Sequence, residues 1–322
     1  MKTVRITVHH HRKRIWRTIF FCLFSLLLVS LCATKLIYDA AFRRYDAAPA
    51  AVPAELSALV QSRTAVDFPC RGETLRGYLY PGTRDTLVVL IPGLNAVSSD
   101  YLRQVDSLIR YGWGVFVFDP TGCGESGGAS AVGYCQTVVD LDAALDCLEQ
   151  NACFGYRNYA LLGHSRGAYA ACGVLREHRP AAVVAVAGAN SAMEGVMSPA
   201  VERIGALAYA NYPLLRLYQR SLFDAQTLDC DAAGELSRSR TPALIVQGAQ
   251  DETVPPGAFS IFSHRNRLPA TSAVLLWGAT GQSGHTDLLF DPDGTANSRL
   301  MAQIHAFLLQ NCGNETERET QK

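Results

Sequence analysis

Tyr159-Ala160-Leu161-Leu162-Gly163-His164-Ser165-Arg166-Gly167 is an apolar run that ends in a serine with a glycine two places to either side. The small-residue stretch Ala168 to Leu175 comes directly after it. This is the pattern of a strand, a sharp turn and a helix. A side chain at either glycine would crowd the neighbouring backbone. The turn predicts that the Ser165 hydroxyl stands at the top of a sheet, over the positive end of a helix. That is where a nucleophile sits.

The same five-residue pattern occurs once more, at Gly124-Glu125-Ser126-Gly127-Gly128, after the apolar run Val115 to Phe118. The next residues there, Ala129 to Gly133, form a glycine-containing loop with no immediate helix. Ser126 is therefore read as part of a glycine-rich turn, and Ser165 as the nucleophile.

A serine hydroxyl needs a base, and the base needs an acid to orient it. For this kind of turn the expected chain order is Ser, acid, His. Ala243 to Gln247 reads as a buried strand that runs into Gly248-Ala249-Gln250-Asp251. Ala273 to Trp277 reads as another, leading to Gly281-Gln282-Ser283-Gly284-His285. Asp251 and His285 each lie just past a strand, on the rim that carries Ser165 if the sheet is parallel. The alternatives are a turn residue for Asp251 and a surface loop for His285. Among the other histidines, His9, His10 and His11 belong to a basic segment, and His164 packs beside the turn. His178 closes the helix after Ser165, where a cation suits the dipole. His264 and His305 fall in helical stretches. No cysteine and histidine spacing resembles a zinc site, so neither a metal nor a cofactor is expected.

Acyl transfer also needs two donors for the developing oxyanion. The backbone N–H of Arg166, directly after the nucleophile, is one. Leu87 to Ile91 reads as an early strand, and its loop, Pro92-Gly93-Leu94-Asn95, offers the N–H of Leu94 as the second. An ordinary Pro-Gly turn is the plain alternative there.

These residues together resemble the α/β-hydrolases, and more narrowly their single-domain esterase, lipase and serine-aminopeptidase-like branch. The resemblance runs from Leu87 to about Leu309. Asp119-Pro120-Thr121-Gly122-Cys123-Gly124-Glu125-Ser126-Gly127-Gly128 resembles that branch's loop after its fourth strand. The resemblance implies an eight-stranded, mostly parallel sheet with helices on both faces. One departure stands out. Many relatives carry His-Gly in the oxyanion loop, where this chain has Pro92-Gly93.

The rest of the chain fits an α/β alternation. Short apolar runs at Thr86–Ile91, Val115–Phe118, Tyr159–Leu162, Val183–Ala187, Ala243–Gln247 and Ala273–Leu276 suit buried parallel strands. Helical periodicity marks Asp100–Tyr111, Val138–Leu148 and Ala296–Leu309, which calls for right-handed crossovers. Asp67–Tyr80 reads as an opening antiparallel hairpin. Between Ala189 and Arg240 no strand is evident, and Ala206-Leu207-Ala208-Tyr209 and Tyr212-Pro213-Leu214-Leu215 are apolar and aromatic. This segment, about 189–240, is expected to form a small helical cap lining the substrate pocket, with core packing as the alternative. Arg166 and Arg203 are candidates for meeting an anionic substrate group; solvated or paired arginines are the plainer reading.

Thr18 to Thr34 carries no charge, and Lys35 can snorkel, so an apolar span of 18–38 is expected. About twenty helical residues cover the hydrocarbon core of a bilayer. Lys2, Arg5, Arg12, Lys13, Arg14 and Arg17 precede it, with no acid. That asymmetry keeps residues 1–17 in the cytoplasm and exports the domain. The alternative is a cleaved signal peptide. Residues 39–60, rich in alanine and proline, read as a tether, 61–310 as one hydrolase domain, and 311–322 as a polar, disordered tail.

The chain has 29 basic and 29 acidic residues. Outside the first 17 residues that leaves 23 basic against 29 acidic, net about −6. No basic patch points to nucleic acid. Ten cysteines, eight of them beyond the apolar span, suggest one or two disulfides in an exported domain. The expected activity is cleavage of a carboxylic ester, on a small or lipid-like acyl substrate, through an acyl-enzyme. A peptidase or acyltransferase on the same residues is the first alternative, and a non-catalytic binding protein on this fold the second.

Overall fold

The computed structural model describes residues 2–46, 52–278 and 282–312, with side chains from residue 13 onward. Eight strands form one sheet: β1 (Thr64–Cys70), β2 (Glu73–Tyr80), β3 (Thr86–Ile91), β4 (Gly114–Phe118), β5 (Asn158–His164), β6 (Val183–Val186), β7 (Ala243–Gly248) and β8 (Ala273–Trp277). Their order across the sheet is β1-β2-β4-β3-β5-β6-β7-β8. β1 and β2 pair antiparallel, as do β2 and β4; every other neighbouring pair is parallel. The parallel strands put their carboxyl ends on one rim, and the loops after β3, β5, β7 and β8 open there.

The helices are α1 (Lys2–Ala41), α2 (Ser57–Ser62), α3 (Leu102–Arg110), α4 (Gln136–Gln150), α5 (Arg166–Gly173), α6 (Ala192–Ile204), α7 (Tyr212–Leu222), α8 (Ala225–Leu228), α9 (Ala232–Ser239) and α10 (Ser298–Cys312). Alternation along β3 shows why the sheet needs helices on both faces. Leu87, Val89 and Ile91 join a core with Leu141 and Leu145 of α4, Ala168 of α5 and Leu236 of α9. Val88 and Leu90 join the opposite core, with Val105 and Leu108 of α3 and Leu300, Ile304 and Leu308 of α10. Side chains in a strand point alternately to the two faces, so a run that is apolar throughout must be covered twice.

Several expectations change. β8 is not a fully buried strand. It is the sheet edge, and its residues are half-buried or exposed. α9 packs on α5 and supplies buried Ala232, Ala233 and Leu236, so the last part of 189–240 is a sheet-flanking helix. The rest of 189–240 holds α6, α7 and α8, with Met193, Met197 and Leu215 packed into the core. Asn311 and Cys312 continue α10; the remainder of the expected tail lies outside the described residues. Cys22, Cys32, Cys70, Cys123, Cys135, Cys147, Cys153, Cys172 and Cys230 form no disulfide. Cys70, Cys123, Cys135, Cys172 and Cys230 are instead buried as small apolar side chains.

Of the expected tether 39–60, residues 47–51 lie outside the described residues, and the stretches on either side of them are held by the domain. α1 carries its helix on to Ala41, and Tyr38 and Phe42 are each 3% exposed, within the domain's core. Tyr38 packs edge-on to Tyr218 of α7 at 5.3 Å, and the Thr34 hydroxyl donates to Asn211 Oδ1 at 3.0 Å. Beyond them the Arg44 guanidinium donates to the carbonyls of Gly124, Ser126 and Gly128 at 2.8, 3.0 and 2.8 Å. Leu56 is buried against the α3 side of the sheet. Burial of the aromatic rings and full use of Arg44 fix a stretch whose composition alone reads as loose. Lys13–Ala41 of α1 is long and apolar enough to cross a membrane, and an 18-residue window within it has a mean hydropathy of 2.2.

His178 does more than face a helix end. Its Nδ1 and Nε2 lie 3.0 Å from Glu149 and 3.0 Å from Asp142. Burial opposes charge on the ring, but the two carboxylates outweigh it and its pKa lies above the ordinary 6.5. Its contribution to stability is therefore fully present below 6.5 and is lost as pH rises through the raised value. His178→Gln is expected to flatten that decline, read as melting temperature against pH. An unchanged profile would assign the pH dependence to other groups.

Candidate active site

Ser165 stands between β5 and α5 with φ 56° and ψ −119°, a conformation L-residues rarely hold. Its N–H donates to Val186 O of β6 at 2.8 Å. Both flanking glycines are required. A Cβ on Gly163 would lie 2.2 Å from Gly167 O, and one on Gly167 2.2 Å from Ile91 O of β3. The turn is sharp because the chain closes on itself and on the neighbouring strand at once.

His285 and Asp251 come to this point from the loops after β8 and β7. His285 Nε2 is 2.7 Å from Ser165 Oγ, and His285 Nδ1 is 2.8 Å from Asp251 Oδ2. Asp251 is 2% exposed. It accepts from Gln247 Nε2 at 2.9 Å and from the Val254 N–H at 2.8 Å. Its two oxygens are thus committed, one toward the histidine and one toward its own loop. Ser165 is 8% exposed and opens onto a cleft of about 370 Å³ lined by Gly93, Leu94, Asn95, Phe290, His164 and His285.

The loop after β3 lies against the serine. A Cβ on Gly93 would be 3.3 Å from Ser165 Cβ. The Gly93 N–H donates to the Tyr101 hydroxyl at 3.0 Å. That hydroxyl is 2.9 Å from His164 Nδ1, and His164 Nε2 is 2.9 Å from the His285 carbonyl. A carbonyl can only accept, so Nε2 carries the proton and Nδ1 receives the tyrosine's. Burial, and then the neighbouring His285, push the His164 pKa down to about 3, which keeps this arrangement neutral. The relay ties the loop after β3, the serine turn and the histidine loop together. The sequence leads one to expect only packing from His164. Tyr101 and Gln247 carry no sequence signal of this role, because their partners are brought in by the fold. The Leu94 and Arg166 N–H groups donate to no loop or turn carbonyl among the described residues.

Other predicted positions fall elsewhere. Ser126 is 2% exposed; its hydroxyl donates to Asp119 O at 2.5 Å and accepts from the Arg76 N–H at 2.9 Å. Arg203 is exposed, whereas Arg166 is 1% exposed. Outside the cleft, Asp146, Glu149 and His178 bring ligand atoms within 4.8 Å of one another. Both His178 nitrogens already face carboxylates there.

Residues 82–233 match the family described as serine aminopeptidase, S33. No curated protein matches the chain in sequence. Among solved structures, an esterase from Pyrococcus furiosus is 16% identical with a TM-score of 0.63, covering 84% of this chain and 100% of that one. The ferulic acid-bound Est1E from Butyrivibrio proteoclasticus is 17% identical with a TM-score of 0.57, covering 78% and 100%. A thermophilic esterase from Thermogutta terrifontis is 17% identical at 0.53, covering 77% and 98%. At such identities the likeness speaks for the fold, and it agrees with the strand order and the serine turn. The chain carries the α/β-hydrolase fold.

Proposed function

We propose that this protein is a serine esterase. The observation that carries the reading is His285 spanning the gap between Ser165 and Asp251, at 2.7 and 2.8 Å. Ser165 Oγ attacks the ester carbonyl as His285 Nε2 takes its proton. Asp251 orients the ring and stabilises the imidazolium. The Leu94 and Arg166 N–H groups receive the oxyanion. His285 then protonates the departing alcohol, and water, activated by the same histidine, releases the acid. Ester rather than peptide cleavage is favoured by the esterases among the similar structures. A peptidase reading rests on the matched S33 family. A panel of p-nitrophenyl esters of graded chain length, set beside aminoacyl p-nitroanilides, separates the two. Turnover of the esters with none of the anilides is expected; preferential turnover of the anilides overturns the esterase reading.

The same proposal takes α1 as an uncleaved membrane anchor. Cleavage after Tyr38 would remove that ring, which the domain buries, and Thr34, which holds Asn211; a cut ahead of Thr34 would leave both in place. The basic residues ahead of the span put that end in the cytoplasm. Tyr38→Ala is expected to destabilise the domain by about 3 kcal/mol, the scale for truncating a buried aromatic, as read by urea unfolding in detergent. A change near zero would release α1 from the fold and favour a cleavable leader.

A further inference from the structure

Arg166 is the largest charged side chain in the core, and it forms no ion pair among the described residues. It is 1% exposed. Its one contact is from Nη1 to the Gly133 carbonyl, at a long 3.5 Å. Nε and Nη2 have no hydrogen-bond partner among the described residues. The Tyr134 hydroxyl, one residue beyond that carbonyl, is also buried and without a partner among them. Tyr134 feels the charges of Arg166, Asp251 and Glu194 of α6. Its ring lies against Gly195 of α6, where a Cβ would be 2.4 Å from Cζ. The two groups therefore occupy the seam between the serine turn, the loop before α4 and α6.

Asp140, Asp251 and the half-buried Glu194 form no ion pair with it among the described residues. Asp140 uses its carboxylate on Thr121 N, Thr121 Oγ1 and Gln136 Nε2, at 2.9, 2.6 and 2.9 Å. Burial pushes its carboxyl up, against those hydrogen bonds and the charge of Arg166, which act the other way. Asp251 is committed to His285, Gln247 and Val254. Glu194 bonds Ser191, and burial raises its pKa as well. A buried guanidinium left in this state is costly, and a ligand that brings the missing anion recovers that cost on binding. A guanidinium fork suits a planar oxyanion, and a phenol beside it adds a donor.

We propose that the Arg166 side chain and the Tyr134 hydroxyl form a subsite for an anionic oxyacid group of the substrate. The preferred esters then carry a carboxylate or similar group a few bonds from the scissile carbonyl. This rests on the esterase reading, and it adds the charge of the substrate to it. The Arg166 side chain acts here independently of its backbone N–H.

The test compares matched esters on the full-length protein: p-nitrophenyl hemiglutarate against p-nitrophenyl valerate for an acyl-side charge, and 4-carboxyphenyl acetate against its methyl ester for an alcohol-side charge. In at least one pair kcat/KM should favour the charged member by about tenfold to a hundredfold, the scale of a charge-assisted hydrogen bond. Arg166→Met should bring that ratio close to one, and Tyr134→Phe, which keeps the ring, should lower it in part. Equal turnover of both members in both pairs, or a preference that survives Arg166→Met, overturns the subsite and leaves the esterase standing. Should no ester be turned over, the esterase reading fails, and binding decides the subsite separately. Glutarate should raise the melting temperature of Ser165→Ala but not of the Ser165→Ala, Tyr134→Phe double variant. An equal shift from chloride, or the same glutarate shift in both variants, marks an adventitious ion only and ends the proposal.

Discussion

Ser165→Ala is expected to lower kcat for p-nitrophenyl ester hydrolysis by about 10⁴- to 10⁶-fold, the range seen when the nucleophile of a serine, histidine and acid set is removed. The variant should fold as well as the parent. Among the described residues Ser165 makes no side-chain bond except to His285, and alanine keeps the Cβ that the turn already accommodates. KM is expected to change far less than kcat, because the hydroxyl acts in the transition state more than in the ground state. The measurement is steady-state kinetics on both proteins, alongside Ser126→Ala. That second serine bridges Asp119 O and the Arg76 N–H. Its loss should cost stability on the scale of a buried hydrogen bond, about 1–3 kcal/mol, with the site's chemistry intact. A parent-like kcat for Ser165→Ala would remove the nucleophile from the account.

Gly163→Ala has the second large expected effect, and it acts on the fold. The new Cβ would lie 2.2 Å from Gly167 O and 2.6 Å from the Ala168 nitrogen. Both obstacles are backbone, held by β5 and by the first turn of α5, so no side chain can swing away. Either the turn opens, which displaces Ser165 from His285, or the protein loses stability by about 3 kcal/mol or more. Gly155→Ala is an informative contrast. Its φ of +92° is unfavourable for alanine, but nothing lies within 4 Å of the new methyl, so its cost is backbone strain alone. Unfolding in urea, with activity measured in parallel, separates the two. Equal stability of parent and Gly163→Ala would contradict the crowding argument.

Legibility in the sequence depends on how local each constraint is. The serine turn is legible because the requirement for glycine at 163 and 167 is set within five residues and by one neighbouring strand. The parallel strands are legible as apolar runs, since a strand covered on both faces has no polar alternation. β8 misleads for the same reason: Ala273-Val274-Leu275-Leu276-Trp277 is apolar, yet it ends the sheet. Asp251 and His285 can be placed from chain order. Their supports cannot. Tyr101 reaches His164 across 63 residues, and His164 reaches the His285 carbonyl across 121.

The segment after α1 misleads for a different physical reason. Alanine and proline suggest a loose linker, but the end of α1 and the residues just after it, up to Asp46, are held by two aromatic rings and one arginine. Tyr38 and Phe42 enter the core, and Arg44 satisfies three carbonyls of the glycine-rich loop around Ser126. Cysteine number likewise suggests bridges, whereas Cys70, Cys123, Cys135, Cys172 and Cys230 are dispersed as small core residues. In Arg166, sequence alone cannot tell a solvated charge from a buried one. Only packing shows that its guanidinium is enclosed without a counter-ion among the described residues.

The most direct measurement is to treat the full-length protein with a fluorophosphonate probe and map the adduct by peptide mass spectrometry. A single phosphonylated residue is expected, Ser165, with labelling abolished in Ser165→Ala and slowed in His285→Ala. An adduct on Ser126, or labelling that persists unchanged in Ser165→Ala, would contradict the account.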